Sequence, residues 1–140
     1  MIRVPRWSIR AVAVLYVLCI MTVSLLPSGK GVLHDWDQGV SWSMQKMLHV
    51  AAYAVLVALV WAAWLPARRT GYGWLLLVAL MCSVFGAGLE VAQIWVPGRT
   101  ASPADAARNA VGALLGVGAV VGWRLLTKGR RASWDGDAPV

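Results

Sequence analysis

Four apolar runs constrain the fold of this chain more than any other feature. They cover residues 11–26, 47–65, 74–96 and 102–126. A helix of about 20 residues crosses the roughly 30 Å of hydrocarbon in a bilayer. Apolar residues make up 59% of the chain, and its mean hydropathy is +0.65, values typical of a membrane protein rather than of a soluble domain. The sequence therefore predicts an all-α membrane protein built as a four-transmembrane-helix bundle.

The first apolar run follows a basic segment, an order that also fits a secretory signal peptide. The run is longer than most signal-peptide cores, however, and no small-x-small cleavage pattern follows Leu26. We therefore interpret it as the first transmembrane helix. The domain organisation is then a basic N-terminus at 1–10, one four-helix membrane domain at 11–126, and a polar tail at 127–140 that is predicted to be disordered.

Basic residues are distributed unevenly among the predicted loops. Nine of the 13 lie in the N-terminus, in the 66–73 loop or after Trp123. The other four are Lys30, Lys46, Arg99 and Arg108. Because cytoplasmic loops are enriched in Lys and Arg, both termini and the short loop with Arg68 and Arg69 are predicted to be cytoplasmic, in a multi-pass protein of the cell membrane. The net charge of +7 follows from this topology, and the absence of a basic face argues against nucleic acid as a partner.

Polar and ionisable residues cluster where the second helix begins, the third ends and the fourth begins. They are Lys46, His49, Tyr53, Glu90, Gln93, Arg99, Ser102, Asp105, Arg108 and Asn109. In the predicted topology all of them fall in one layer at the outer face of the membrane. A charge beside hydrocarbon is costly, roughly 3 kcal/mol at a helix centre, so a shared site in which these groups compensate one another is the economical explanation. Ser102 before Pro103 is also a good helix start, so capping explains part of the pattern.

Three spaced motifs carry a resemblance to a known family. They are Lys46-x-x-His49-x-x-x-Tyr53, Glu90-x-x-Gln93, and Arg99-x-x-Ser102-x-x-Asp105-x-x-x-Asn109-x-x-Gly112-x-x-x-Gly116. Together with Ser24-Leu-Leu-Pro27 they make residues 24–116 similar to the VanZ-like family, with Gln45 and Val50 as departures beside the first motif. The resemblance implies a small integral membrane protein of the cell envelope, related to one that raises resistance to teicoplanin, a lipid-tailed glycopeptide antibiotic. It assigns no activity to the motif residues.

Three classes of function fit this pattern. The first is a site that recognises a membrane lipid, a lipid-linked envelope precursor or a lipopeptide at the outer face. The second is a small membrane-embedded enzyme with His49 and Glu90 as catalytic acid and base, although the sequence has no nucleophile–base or phosphate-loop signature. The third is a minimal transporter, which is disfavoured because the helix centres are almost free of polar residues. Assembly as a homo-oligomer would remove that objection.

No cofactor and no metal site are predicted. His49, Glu90 and Asp105 are residue types that ligate divalent ions, but they lie far apart in the sequence. The Glu90 carboxylate is expected to pair with Arg99, Arg108 or Lys46, since an unpaired carboxylate at this depth is expensive. The glycines of the fourth helix are expected to let neighbouring backbones approach closely.

Overall fold

The computed structural model describes residues 5–27, 42–65 and 71–136. Its long helices are α1 (Arg6–Leu25), α2 (Trp42–Trp64), α3 (Tyr72–Ala92) and α4 (Pro103–Gly136), and a short 3-10 helix, Gln93–Trp95, follows α3. Each long helix contains a segment long and apolar enough to cross a membrane. The predicted four-helix membrane fold is confirmed. Residues 28–41 and 66–70 and the chain ends at 1–4 and 137–140 lie outside the described residues, and the orientation stays a prediction.

Local chemistry explains where the helices begin and end. The backbone N–H of Asp105 donates to Ser102 Oγ at 3.2 Å, and Pro103 takes the first position of α4, where its missing N–H costs nothing. At the other end α4 continues to Gly136, so the prediction of a disordered tail is wrong for residues 127–136. No proline interrupts this stretch, and its lysine and arginines favour a helix.

Contacts near the helix ends show how the four helices are aligned. Gln93, which follows α3, donates a hydrogen bond to the carbonyl of Ser24, near the end of α1. His49 and Asn109, near the starts of α2 and α4, are also hydrogen-bonded. Only a short loop separates the end of α3 from the start of α4. The ends of α1 and α3 and the starts of α2 and α4 therefore lie together. We call this the polar end of the bundle.

The closest packing is between α2 and α4. A Cβ atom on Gly112 would lie 2.3 Å from the carbonyl oxygen of Val50, and one on Gly116 would lie 2.7 Å from that of Ala54. The two backbones therefore touch, as expected for glycines in a membrane helix. Below the polar end, a buried cluster joins α2, α3 and α4 and consists of Tyr53, Leu56, Val57, Ala79, Cys82 and Ala113.

The outer surface of the helices is strongly apolar. Large side chains such as Leu15, Leu80 and Leu126 are each more than half exposed. An apolar surface this extensive would make a soluble monomer prone to aggregation. It is instead the surface that we expect to contact lipid.

Candidate functional site

Three polar side chains at the polar end are buried. Glu90, Gln93 and Asn109 are each no more than 7% exposed, and all three belong to the predicted cluster. Buried polar groups need hydrogen-bond partners. Their partners therefore indicate what each residue does.

Asn109 supports the ring of His49. The His49 Nδ1 and Asn109 Oδ1 atoms are 2.9 Å apart. Because an amide oxygen only accepts, Nδ1 carries the hydrogen and donates it, which leaves the lone pair of the neutral ring on Nε2. Asn109 is 2% exposed and is packed in the interface between α2 and α4. The pair therefore fixes both the orientation and the tautomer of His49.

Glu90 closes the loop between α3 and α4. Its Oε2 atom accepts a hydrogen bond from the backbone N–H of Ser102 at 3.1 Å, and Ser102 in turn caps α4. The sequence predicts an ion pair of Glu90 with Arg99, Arg108 or Lys46, whereas the contact seen here is a hydrogen bond from a backbone N–H. The carboxylate instead joins the end of one helix to the start of the next.

Arg99 and Gln93 hold the end of α1. Arg99 donates from Nε to the carbonyl of Leu26 at 3.1 Å and from Nη2 to that of Val23 at 2.8 Å, while Gln93 Nε2 donates to the carbonyl of Ser24 at 3.1 Å. The last carbonyls of a helix lack partners within the helix and favour a nearby cation. These two motif residues therefore position α1, a role that the sequence did not predict for either of them.

Replacing Arg99 should loosen α1. Arg99→Ala removes two charge-assisted hydrogen bonds near the surface, and we expect the free energy of unfolding to fall by about 1–2 kcal/mol. Thermal unfolding of the purified protein in detergent, followed by its helical signal, measures the change. Arg6→Ala, at an exposed position at the start of α1, is the control and should alter stability by less than about 0.5 kcal/mol. Equal effects of the two substitutions would contradict the assignment of Arg99.

A polar cleft opens between the starts of α2 and α4. Its volume is about 160 Å³, and it is lined by Gln45, Lys46, His49, Ser102, Ala104, Asp105 and Arg108. The guanidinium of Arg108 forms an ion pair with the Asp105 carboxylate one turn earlier. Five of the predicted site residues thus share one cleft. Gln45, which the sequence marked only as a departure beside the first motif, and Ala104 also line it.

Three groups with metal-ligating chemistry meet beside this cleft. A ring nitrogen of His49 and one carboxylate oxygen each from Glu90 and Asp105 all lie within 4.8 Å of one another. The residues come from α2, α3 and α4, so their distance in the sequence concealed their proximity. The arrangement can exchange protons or hold a cation.

Tyr53 lies deeper than the cleft. It is 3% exposed, and a Cβ atom on Gly86 would come within 2.8 Å of its ring and hydroxyl. Tyr53 is therefore a packed core residue beneath the site. Sequence reasoning missed Gly86, for which the only signal is a small residue on an apolar helix.

Comparison with protein families places these features in context. The model of the VanZ/LLP1 family matches residues 13–126, a range that includes every residue of the polar end and most of the four helices. Searches among curated proteins and among solved structures gave no match. The family match covers most of the chain and includes all three of the spaced motifs. The chain therefore belongs to the VanZ/LLP1 family.

Proposed function

We propose that the cleft at the polar end binds the anionic headgroup of a lipid-linked or amphiphilic envelope ligand at the outer face of the membrane. The observation that carries this proposal is that Lys46, His49 and Arg108 line the same cleft. Lysine offers a compact positive charge, and arginine can bind phosphate or carboxylate through two parallel hydrogen bonds. The lining also includes the carboxylate of Asp105, which pairs with Arg108. Two cationic side chains against one carboxylate leave an excess of positive charge, and this excess favours a small anion.

The size of the cleft narrows the class of ligand. The cleft measures about 160 Å³, whereas pockets for drug-sized molecules measure about 300–1,000 Å³. A phosphate or carboxylate group fits, and the core of a glycopeptide antibiotic does not. The apolar part of the ligand would then lie along the exposed apolar surface of the helices.

A role in tolerance to teicoplanin-type antibiotics belongs to this proposal. The relation to resistance comes from the family, and the cleft supports it by offering a place for the charged group of a lipid-tailed molecule or of an envelope precursor. In either case, the protein would act by holding an amphiphile at the membrane surface. The same substitutions should therefore weaken headgroup binding and antibiotic tolerance together.

Arg108 provides the first test. Arg108→Gln removes a charged donor, and we expect affinity for a polyprenyl phosphate probe, measured with the protein in lipid nanodiscs, to fall about 10–100-fold. Arg124→Gln is the matched control, because it removes the same charge from α4 about 24 Å further along the helix axis. Wild-type affinity in Arg108→Gln, or an equal loss in Arg124→Gln, would contradict the proposal.

A membrane-embedded enzyme is the second candidate. The proximity of His49 to two carboxylates favours it, because such groups can act as acid and base on a bound headgroup. Incubation of the purified protein with lipid-linked precursors, followed by mass spectrometry, separates the candidates. Turnover that disappears in His49→Gln would establish catalysis, and recovery of unchanged precursor would leave binding as the function.

The proposal also requires the polar end to face outward. The count of basic residues supports both termini being cytoplasmic. A fluorescent protein fused after Val140 should therefore fold and fluoresce, and alkaline phosphatase fused at the same place should be inactive. The reverse result would put the cleft on the cytoplasmic side.

A further inference from the structure

We propose that His49, Glu90 and Asp105 bind one divalent transition-metal ion beside the headgroup cleft. Their potential ligand atoms all lie within 4.8 Å of one another. An ion with bonds of about 2.1 Å holds its ligand atoms about 3.4 Å apart in a tetrahedron, so small side-chain rotations would close the site. One imidazole with two carboxylates is a ligand set suited to Zn²⁺, Fe²⁺ or Mn²⁺.

The groups around the three residues resemble the outer shell of a metal site. A metal-bound histidine almost always donates its other ring N–H to a neighbouring acceptor, and His49 does so to Asn109, which keeps Nε2 available. One oxygen of Glu90 accepts the N–H of Ser102, and one oxygen of Asp105 contacts Arg108. His49 and Glu90 are thus each oriented through one atom and have a second atom for an ion. Asp105 contacts both Arg108 and Ser102 and offers a carboxylate oxygen within 4.8 Å of the other two groups.

The burial of Glu90 gives an independent reason for a cation here. Glu90 is 6% exposed, and within the described part of the chain its carboxylate is held by the neutral amide of Ser102. A buried carboxylate is costly unless a charge or several donors compensate it. The Arg108 guanidinium contacts Asp105, and the Arg99 guanidinium contacts carbonyls at the end of α1, so both are engaged by other acceptors. A divalent ion would balance Glu90 and Asp105 together.

The ion would also complete the cleft. Three protein ligands leave a tetrahedral ion one open position, and Lys46 and Arg108 line the space beside it. A divalent ion and its two carboxylates are together neutral, so the positive charges of Lys46 and Arg108 remain. This remaining charge favours an anionic group at the open position. This last step rests on the proposed function, whereas binding of the ion itself does not.

Metal content of the purified protein tests the proposal. After removal of metal with a chelator, dialysis against Zn²⁺ and elemental analysis should give about one ion per chain. His49→Gln and Glu90→Gln should weaken Zn²⁺ affinity by at least tenfold, and Asn109→Ala by about 10–100-fold through loss of the support for His49. Ser83→Ala, which lies on α3 about two helical turns from Glu90, should bind as the wild type does. Co²⁺ should give a visible absorption band in the wild type that is lost in His49→Gln.

Two results would overturn the metal site. One is the absence of near-stoichiometric Zn²⁺, and the other is wild-type affinity in His49→Gln and Glu90→Gln variants that keep the wild-type helical content. Asp105→Asn, at a partly exposed position, supplies a ligand variant if the buried ones do not fold. Metal binding without binding of the polyprenyl phosphate would refute the proposed function and leave the metal site standing. Headgroup binding that survives chelation unchanged would refute the contribution of the ion to the cleft.

Discussion

Gly112→Ala is expected to lower the free energy of unfolding by about 3 kcal/mol, the upper end of the usual range for overpacking. The added methyl group would lie 2.3 Å from the carbonyl oxygen of Val50, closer than non-bonded atoms approach. The obstacle is backbone, which cannot rotate aside as a side chain does. α2 and α4 would have to separate along the interface that also holds His49 and Asn109, so headgroup binding should be lost with stability.

Two other glycines provide matched controls for this effect. Nothing lies within 4 Å of a Cβ on Gly118, so Gly118→Ala should leave stability unchanged or raise it by up to about 1 kcal/mol through helix propensity. Gly86→Ala should be intermediate, because its methyl group meets the side chain of Tyr53 rather than backbone. Unfolding in mixed micelles and abundance in the membrane measure the series. Equal stabilities for Gly112→Ala and Gly118→Ala would show that α2 and α4 do not touch.

The sequence predicted the fold well because the bilayer imposes a strong and local constraint. A long apolar run is readable without knowledge of its neighbours, and the start of α4 is equally local, since Ser102 and Pro103 carry the capping signal themselves. The end of α4 was less predictable. The polar residues after Leu126 indicate where the hydrocarbon ends, but they do not stop a helix, which continues to Gly136.

The candidate site was predictable as a layer but not as a set of contacts. Spacing along one helix fixes which residues share a face, and the position of His49 and Asn109 near the starts of their helices placed both in the same layer. It does not fix the rotation of one helix against another. For this reason the approach of Glu90 to His49 and Asp105, and the choice of α1 carbonyls by Arg99, emerge only from the three-dimensional arrangement.

The motif residues consequently divide into two groups with different tasks. Gln93 and Arg99 attach α1 to the loop between α3 and α4, and Ser102 both caps α4 and donates to Glu90. The second group lines or adjoins the cleft and comprises Lys46, His49, Glu90, Asp105, Arg108 and Asn109. Loss of the first group should act mainly through stability. Substitutions in the second group should mainly weaken ligand binding. A substitution of Asn109 should reduce both stability and binding.

Asn109→Leu should therefore impair stability and binding together. Leucine has a similarly branched but larger side chain and cannot accept the Nδ1–H of His49. Leaving this donor without a partner in a partly buried site should cost about 1–3 kcal/mol, and the added bulk increases the loss of stability. The freed ring would lose its fixed orientation, so we also expect binding of the polyprenyl phosphate probe to fall. Asn109→Asp keeps an acceptor oxygen at the same place and should retain more of both properties.

A double-mutant cycle isolates this contact from the general cost of altering a buried residue. In a His49→Phe background the donor is already absent, so Asn109→Leu should destabilise the protein by less than it does in the wild type. The difference is the coupling energy, expected at about 0.5–3 kcal/mol for residues in direct contact. Unfolding of the four proteins under one set of detergent conditions supplies the measurement. Additive effects would mean that the hydrogen bond between α2 and α4 does not hold His49 in place, and the support for both the headgroup cleft and the metal site would weaken with it.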